Sequence, residues 1–282
     1  MSIRYEAVKS GGSRVAAAAW RRLPVLILAT ALFVADGAEK SVLADTQPHD
    51  PAAAINMAGR QRMLSQRIVL TYCQIGLNVM QRESRSRLHR SVVRFDSQLA
   101  QLKKTATQPQ VKQVLDQVEK MWVRFRIIAT GPVNREGAGR LIYLNDDLEY
   151  MSNKVVQLLQ DRTGTDFVRL VNVAGRQRML SQRLAKFYMM REWGFDTLTT
   201  RSETEAARNE FSGALEVLRD APENSAEVNR LLDEASLQWV WFNNALNLKG
   251  EESYRLLVAD SSETILRIMD RVTALYELEA RR

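Results

Sequence analysis

The sequence predicts an all-α protein built as two tandem antiparallel four-helix bundles, and three observations lead there. A thirteen-residue box, Ile55 to Arg67 (INMAGRQRMLSQR), returns as Val171 to Arg183 (VNVAGRQRMLSQR) with eleven identities. At the same offset of 116 residues, Ile68 to Lys104 set against Leu184 to Asp220 keeps only six identities in 37, among them Tyr72 with Tyr188 and Phe95 with Phe211. The chain is therefore an internal duplication restrained mainly at the box. Apolar residues recur with a helical period between capped or broken segments, and no stretch alternates as a strand between hairpin turns. After one inserted residue, Trp122-Val-Arg-Phe125 falls on Trp239-Val-Trp-Phe242. The expected domains are 45–164 and 165–282.

Composition agrees with helix. Ala, Leu, Gln, Arg and Glu are plentiful, while Gly and Pro gather at a few points. Basic residues Arg14, Arg21 and Arg22 precede an apolar run from Leu23 to Ala35, and Val42-Leu-Ala44 offers small residues for cleavage after Ala44. This pattern reads as a signal peptide over 1–44 and an exported, periplasmic protein. The run is 13 residues, short of the roughly 20 needed to span a bilayer; an uncleaved anchor is the competing reading. Without residues 1–44 the chain holds 34 Lys and Arg against 30 Asp and Glu, a net charge of +4 that does not argue for nucleic acid. The single cysteine, Cys73, excludes an intrachain disulfide and falls on an apolar helical position, where a buried inert thiol is expected.

The elements follow in order. Asp50-Pro51 starts a first helix that runs to about Met80 and carries the first box. A second, Glu83 to Lys104, shows a basic face through Arg85, Arg87, Arg90 and Arg94, read as solvated; Thr107-Gln-Pro109 breaks it. The third ends at Gly131-Pro132, and the fourth runs from Arg135 to Arg162 before Gly164. Asp166 is placed as the cap of a fifth helix ending at Gly194, and Ser202-Glu-Thr-Glu205 as the capping box of a sixth. Pro222 to Asn224 form a turn, a seventh helix carries Trp239 and Trp241, and Gly250 separates it from the last.

On a helical wheel Met57, Leu64, Ile68, Thr71 and Ile75 form one stripe, the expected face toward the helix's own bundle. A second, largely uncharged stripe holds Ile55, Ala58, Gly59, Arg62, Gln66, Val69 and Cys73, matched in copy two by Val171, Ala174, Gly175, Arg178, Gln182, Ala185 and Met189. Two stripes mean two partners, and the small residues admit a close helix. A buried guanidinium without a counter-charge costs several kcal/mol, and the box has no acid. The fork geometry suits a small planar oxyanion. Equally open is an arginine that meets a helix C-terminus or a glutamate elsewhere in the fold.

At these residues the sequence resembles a known family. The box is similar to the ligand-binding box of the nitrate/nitrite sensor kinases (NarX/NarQ), and its fuller form, Gly-Arg-Gln-Arg-Met-Leu-Ser-Gln-Arg, to the sensory N-terminal domain of PilJ-type, type IV pilus methyl-accepting chemotaxis transducers. The resemblance implies a periplasmic antiparallel four-helix bundle per copy. It implies anion binding by the arginine before the box methionine, here Arg62 and Arg178, at a two-fold contact between box helices. Arg60 and Arg176 stand where the nitrate sensors carry a small polar residue, and Gln66 and Gln182 replace an aromatic, so the ligand need not be nitrate. Gly59, Gly175, Gln66, Gln182, Arg60 and Arg176 complete the candidate ligand site.

Chemistry finds little support: there is no Glu-x-x-His pair, no thiolate set for a metal, and Met189-Met190, Trp122 and Trp239 read as core. No enzyme and no cofactor are expected. Two functions remain. One is a periplasmic sensory or binding module for a small oxyanion, detached from its output domain and acting through a membrane-bound signalling partner; the other is a ligand-free helical interaction protein or scaffold whose box helix docks a partner. Arg62 and Arg178 could close on a ligand within one chain or pair like with like in a homodimer, which the family's habit favours.

Overall fold

The computed structural model describes residues 50–161 and 165–282. The signal peptide read in 1–44, His49 and the break at Gly164 lie outside the described residues. Eight α-helices follow one another: α1 (Pro51–Gly76), α2 (Gln81–Thr105), α3 (Pro109–Thr130), α4 (Arg135–Gln160), α5 (Asp166–Glu192), α6 (Leu198–Arg219), α7 (Ala226–Ala245) and α8 (Glu252–Glu279). No strand occurs among the described residues. Asp50 caps α1 by accepting the Ala53 N–H at 3.1 Å, with Pro51 at the first helical position.

Three boundaries differ from expectation for local reasons. Helix α1 stops at Gly76 rather than near Met80, because Asn78 and Met80 adopt left-handed backbone (φ 59° and 44°) and turn the chain into α2. Thr165, not Asp166, caps α5 through the Val168 N–H; Asp166 sits in the first turn, where a carboxylate favours the helix dipole. Helix α6 begins four residues before Ser202, capped by Thr197, which accepts the Thr200 N–H while the Thr200 hydroxyl accepts the Thr197 N–H. A threonine thus fills the position where glutamate or glutamine is usually sought.

Helices α1 to α4 pack with one another, α5 to α8 do the same, and the sets are joined chiefly through α1 and α5 in one compact unit. Both sets keep the same aromatic centre. Phe95 stacks on Trp122 at 3.9 Å between centroids and Phe211 on Trp239 at 4.2 Å, with Phe125 and Phe242 beside them. The indole N–H groups donate to Asp96 at 2.6 Å and to Ser212 at 3.1 Å, equivalent positions in the repeat.

The box helices are the centre of the whole molecule. In α1, 19 of 26 residues are buried, against 7 of 25 in α2, because α1 is covered both by its own bundle and by α5. They lie side by side and parallel: Arg62 reaches Asn172 and Arg178 reaches Asn56 toward one end, while Gly76 lies against Trp193 toward the other. A Cβ on Gly76 would stand 2.2 Å from the Trp193 ring, so only glycine permits that approach. Arg135 of α4 fastens the same end, donating to the Gly194 carbonyl at 2.9 Å with its guanidinium 5.0 Å from the Phe195 ring centre. Gly194 has φ +84°, and any side chain there would also strike Arg135. Among the described residues no helix is long and apolar enough to cross a membrane.

Candidate ligand site

Both stripes of the box helix are buried, the first with Met57 only partly covered. The second stripe finds its partner inside the chain. Arg62 is 1% exposed and Arg178 0%, the largest fully buried side chains among the described residues. Their room comes from the glycines one helical turn earlier: a Cβ on Gly59 would stand 3.2 Å from the Arg62 guanidinium, and one on Gly175 3.1 Å from that of Arg178 and 3.9 Å from that of Arg62. The two cations therefore come together at the crossing of the boxes. Ser65 and Ser181 donate to the Arg62 and Arg178 backbone carbonyls at 2.8 and 2.9 Å, the same bond in both copies.

The homodimer favoured on sequence grounds does not use these faces. Arg62 and Arg178 meet within one chain, because parallel packing of α1 on α5 covers the stripe that a second copy would need. An external docking partner for the box helix is met by the same correction.

The partners of the two arginines are equivalent in position and unequal in charge. Arg62 donates to Asn153 Oδ1 of α4 at 2.7 Å and to Asn172 Oδ1 at 2.9 Å. Arg178 donates to Asp270 Oδ1 of α8 at 2.7 Å and to Asn56 Oδ1 at 2.7 Å. Behind them, Asn172 donates to Gln160 at 2.5 Å while Asn56 donates to Glu277. Asn153 corresponds to Asp270 and Gln160 to Glu277 at an offset of 117 residues, so α4 offers amides where α8 offers carboxylates. Burial lowers the Arg62 pKa to about 10, with Arg176 and Arg178 adding to the fall and Glu149 opposing it. Burial also lowers that of Arg178, but Asp270 offsets it. Burial raises the Asp270 pKa, yet Arg178 and Arg60 outweigh it and hold the carboxyl below its usual range.

Around the pair, Gln66 is 0% exposed and neither atom of its amide has a hydrogen-bond partner. Its equivalent Gln182 donates to the Ser262 carbonyl at 3.2 Å and keeps an unpartnered oxygen. The Nε donors of Arg62 and Arg178 are also buried and unpartnered. Arg60 and Arg176 depart from the symmetry: Arg176 pairs with Glu210 of α6, whereas Arg60 reaches Asp270 at 3.5 Å. The reason is in copy one, where the position equivalent to Glu210 is Arg94. In the same way Arg183 pairs with Glu203 at 3.3 Å, but that position is Arg87 in copy one, and Arg67 and Arg87 both turn to Glu263 of α8 at 2.7 and 3.6 Å. Arg87 is thus not part of a solvated face, while Arg85, Arg90 and Arg94 are exposed.

Of the eight residues expected at the site, Arg62 and Arg178 meet beside Gly59 and Gly175, Gln66 and Gln182 are buried one turn further along the same helices, and Arg60 and Arg176 pair with Asp270 and Glu210. Sequence reasoning missed Asn153, Asp270, Gln160 and Glu277; aligning α4 on α8 at the shifted offset would have exposed the exchange of amide for acid. Cys73 is fully buried, and burial pushes its thiol up to about 12, which leaves it unreactive.

Two bundles joined through duplicated, arginine-bearing helices define an all-α tandem-repeat protein. Residues 46–131 and 169–236 match the family model of the type IV pili methyl-accepting chemotaxis transducer N-terminal domain, PilJ. These segments make up more than half of the chain, and the chain belongs to that family, whose N-terminal domains are periplasmic sensory domains. No curated protein and no solved structure matches it.

Proposed function

We propose that the chain is a periplasmic sensory or binding module for a small oxyanion of the nitrate or nitrite kind, held where the two boxes meet. In this reading residues 1–44 are an export signal, 45–164 and 165–282 are two domains sharing one seam, and occupancy is reported to a membrane-bound signalling partner. One observation carries it: Arg62 is buried with only neutral amides as hydrogen-bond partners, while its counterpart has a carboxylate. A guanidinium in that position lacks several kcal/mol of compensation, and a planar oxyanion can supply it through paired hydrogen bonds to the free Nε edge. The Gln66 amide, one turn further along, offers another donor. Asp270 already answers Arg178, so one anion per chain is expected. No homodimer is needed to complete such a site.

A second reading is favoured by the existing bonds from Arg62 to Asn172 and from Arg178 to Asn56: a ligand-free scaffold in which the box pair is only a fastener. Thermal denaturation with millimolar nitrate, nitrite, formate and sulfate separates the two. Ligand at about 100 times its Kd should raise stability by roughly 2.7 kcal/mol, and Arg62→Ala should remove the whole effect. If no oxyanion moves Tm, the fastener reading stands.

A further inference from the structure

Lys186 lies on α5 where copy one has Leu70, so an apolar position of the repeat has become a cation. Its side chain is 1% exposed, and its ammonium donates to Asn145 Oδ1 of α4 at 2.9 Å and stands 4.0 Å from Asp146 and 4.6 Å from the Phe187 ring centre. An ammonium has more donors than that one bond uses. A leucine would fill the space without the cost of a buried charge, and the protein answers this cation only with the Asn145 amide and with Asp146 at 4.0 Å, the outer limit of an ion pair. Burial lowers its pKa to about 8, with Asp146, Glu203 and Glu149 opposing the fall and Arg183 adding to it.

Lys186 lines a cavity of about 470 Å³ between α4, the end of α5 and the start of α6. Its walls include Phe187, Met190 and Phe195, and its rim carries Asp146, Asp147 and Glu203. Glu203 is engaged by Arg183, whereas Asp147 is exposed and the Asp146 side chain is 58% exposed. Charge is therefore sorted by depth: a cation at the buried end, carboxylates at the mouth, and aromatic and thioether surface between. An acid alone would meet the rim carboxylates as like charges. An amine alone would leave the buried ammonium unanswered.

We propose that this cavity is a second ligand site, separate from the box arginines, for an amino acid with an apolar side chain. The ligand carboxylate reaches Lys186, its ammonium meets Asp146 and Asp147, and its side chain lies against Phe187 and Phe195. The site draws on none of the residues assigned to the oxyanion, so either can fail without the other.

Isothermal titration of the full chain with L-phenylalanine, L-leucine, 3-phenylpropionate and phenethylamine tests it. At least one amino acid should bind, and at least tenfold more tightly than the acid and the amine. Lys186→Met should weaken amino-acid binding more than tenfold with an unchanged helical circular-dichroism spectrum. Should that variant not fold, Asp147→Asn at the exposed rim is decisive: it should weaken the amino acid several-fold and, by removing a like charge, tighten 3-phenylpropionate. Absence of amino-acid binding, equal binding of the amine or the acid, or unchanged affinity in the variant that folds would overturn the proposal.

Discussion

The two copies differ most where their partners touch the conserved box. Around Arg178, α8 supplies Asp270 and Glu277 and α6 supplies Glu203 and Glu210; around Arg62, the equivalent positions are Asn153, Gln160, Arg87 and Arg94. Copy two can neutralise its box arginines from within. Copy one cannot, and Arg60, Arg67 and Arg87 reach across to Asp270 and Glu263 of α8. A duplicated bundle can thus hold a motif unchanged while the charges behind it move to one side. The consequence is a molecule whose halves are complementary rather than interchangeable, with a buried cation at Arg62 that has only amides as side-chain partners.

The first way to sharpen this comparison is the lysine that only copy two carries. Lys186 holds its proton less tightly when folded, near 8, than in the unfolded chain, near 10.5. Between those values the unfolded state binds more protons, so the lysine makes stability rise with pH across that window. Asp146 and Glu149 of α4 and Glu203 of α6 are the acids that oppose the fall, and Arg183 beside it on α5 adds to it. Lys186→Met should therefore be more stable than the parent at pH 7 by roughly 3 kcal/mol, with the gap closing by pH 10.5. Urea denaturation at both pH values measures it; a gap independent of pH would refute the assignment.

Next is Asp270→Asn, which gives copy two the amide of copy one. Arg178 is 0% exposed but the Asp270 side chain is 36% exposed, so solvent screens part of the loss. A cost of about 2 to 3 kcal/mol is expected, visible as a lower urea midpoint with an unchanged slope. The reciprocal change is smaller and opposite in sign. Asn153→Asp hands Arg62 a carboxylate, should stabilise by about 1 kcal/mol, and should abolish any oxyanion effect on Tm. A variant stabilised yet still responsive to nitrate would separate Arg62 from the ligand.

Much of this was legible in the residues. The helical period, Asp50-Pro51, the glycine and proline breaks and the Trp-Phe pairs placed the helices to within a few residues, because caps and breakers act locally. The second stripe through Ala58, Gly59, Arg62 and Gln66 was visible on the wheel, since burial leaves its mark on a single helix. Its covering element was not. Arg62 meets residues 91 and 110 positions away, and the wheel reports that a face needs a partner without saying whether it lies in the same chain. Asp270 and Asn153 escaped notice because each looks like an ordinary polar residue until the buried arginine beside it is known. Lys186 was passed over for the opposite reason: one lysine in an apolar run is commonly at an edge, and only α4 lying alongside makes it interior.

The parallel seating of α1 on α5, with Gly76 against Trp193, has a bearing on how the protein behaves in dilute solution. When two identical chains must meet to complete a contact, its population falls as the protein is thinned out. Here both helices belong to one polypeptide, and the tether keeps each at an effective concentration in the millimolar range for the other. The arginine pair stays assembled in a solitary molecule, so dilution alone does not take it apart.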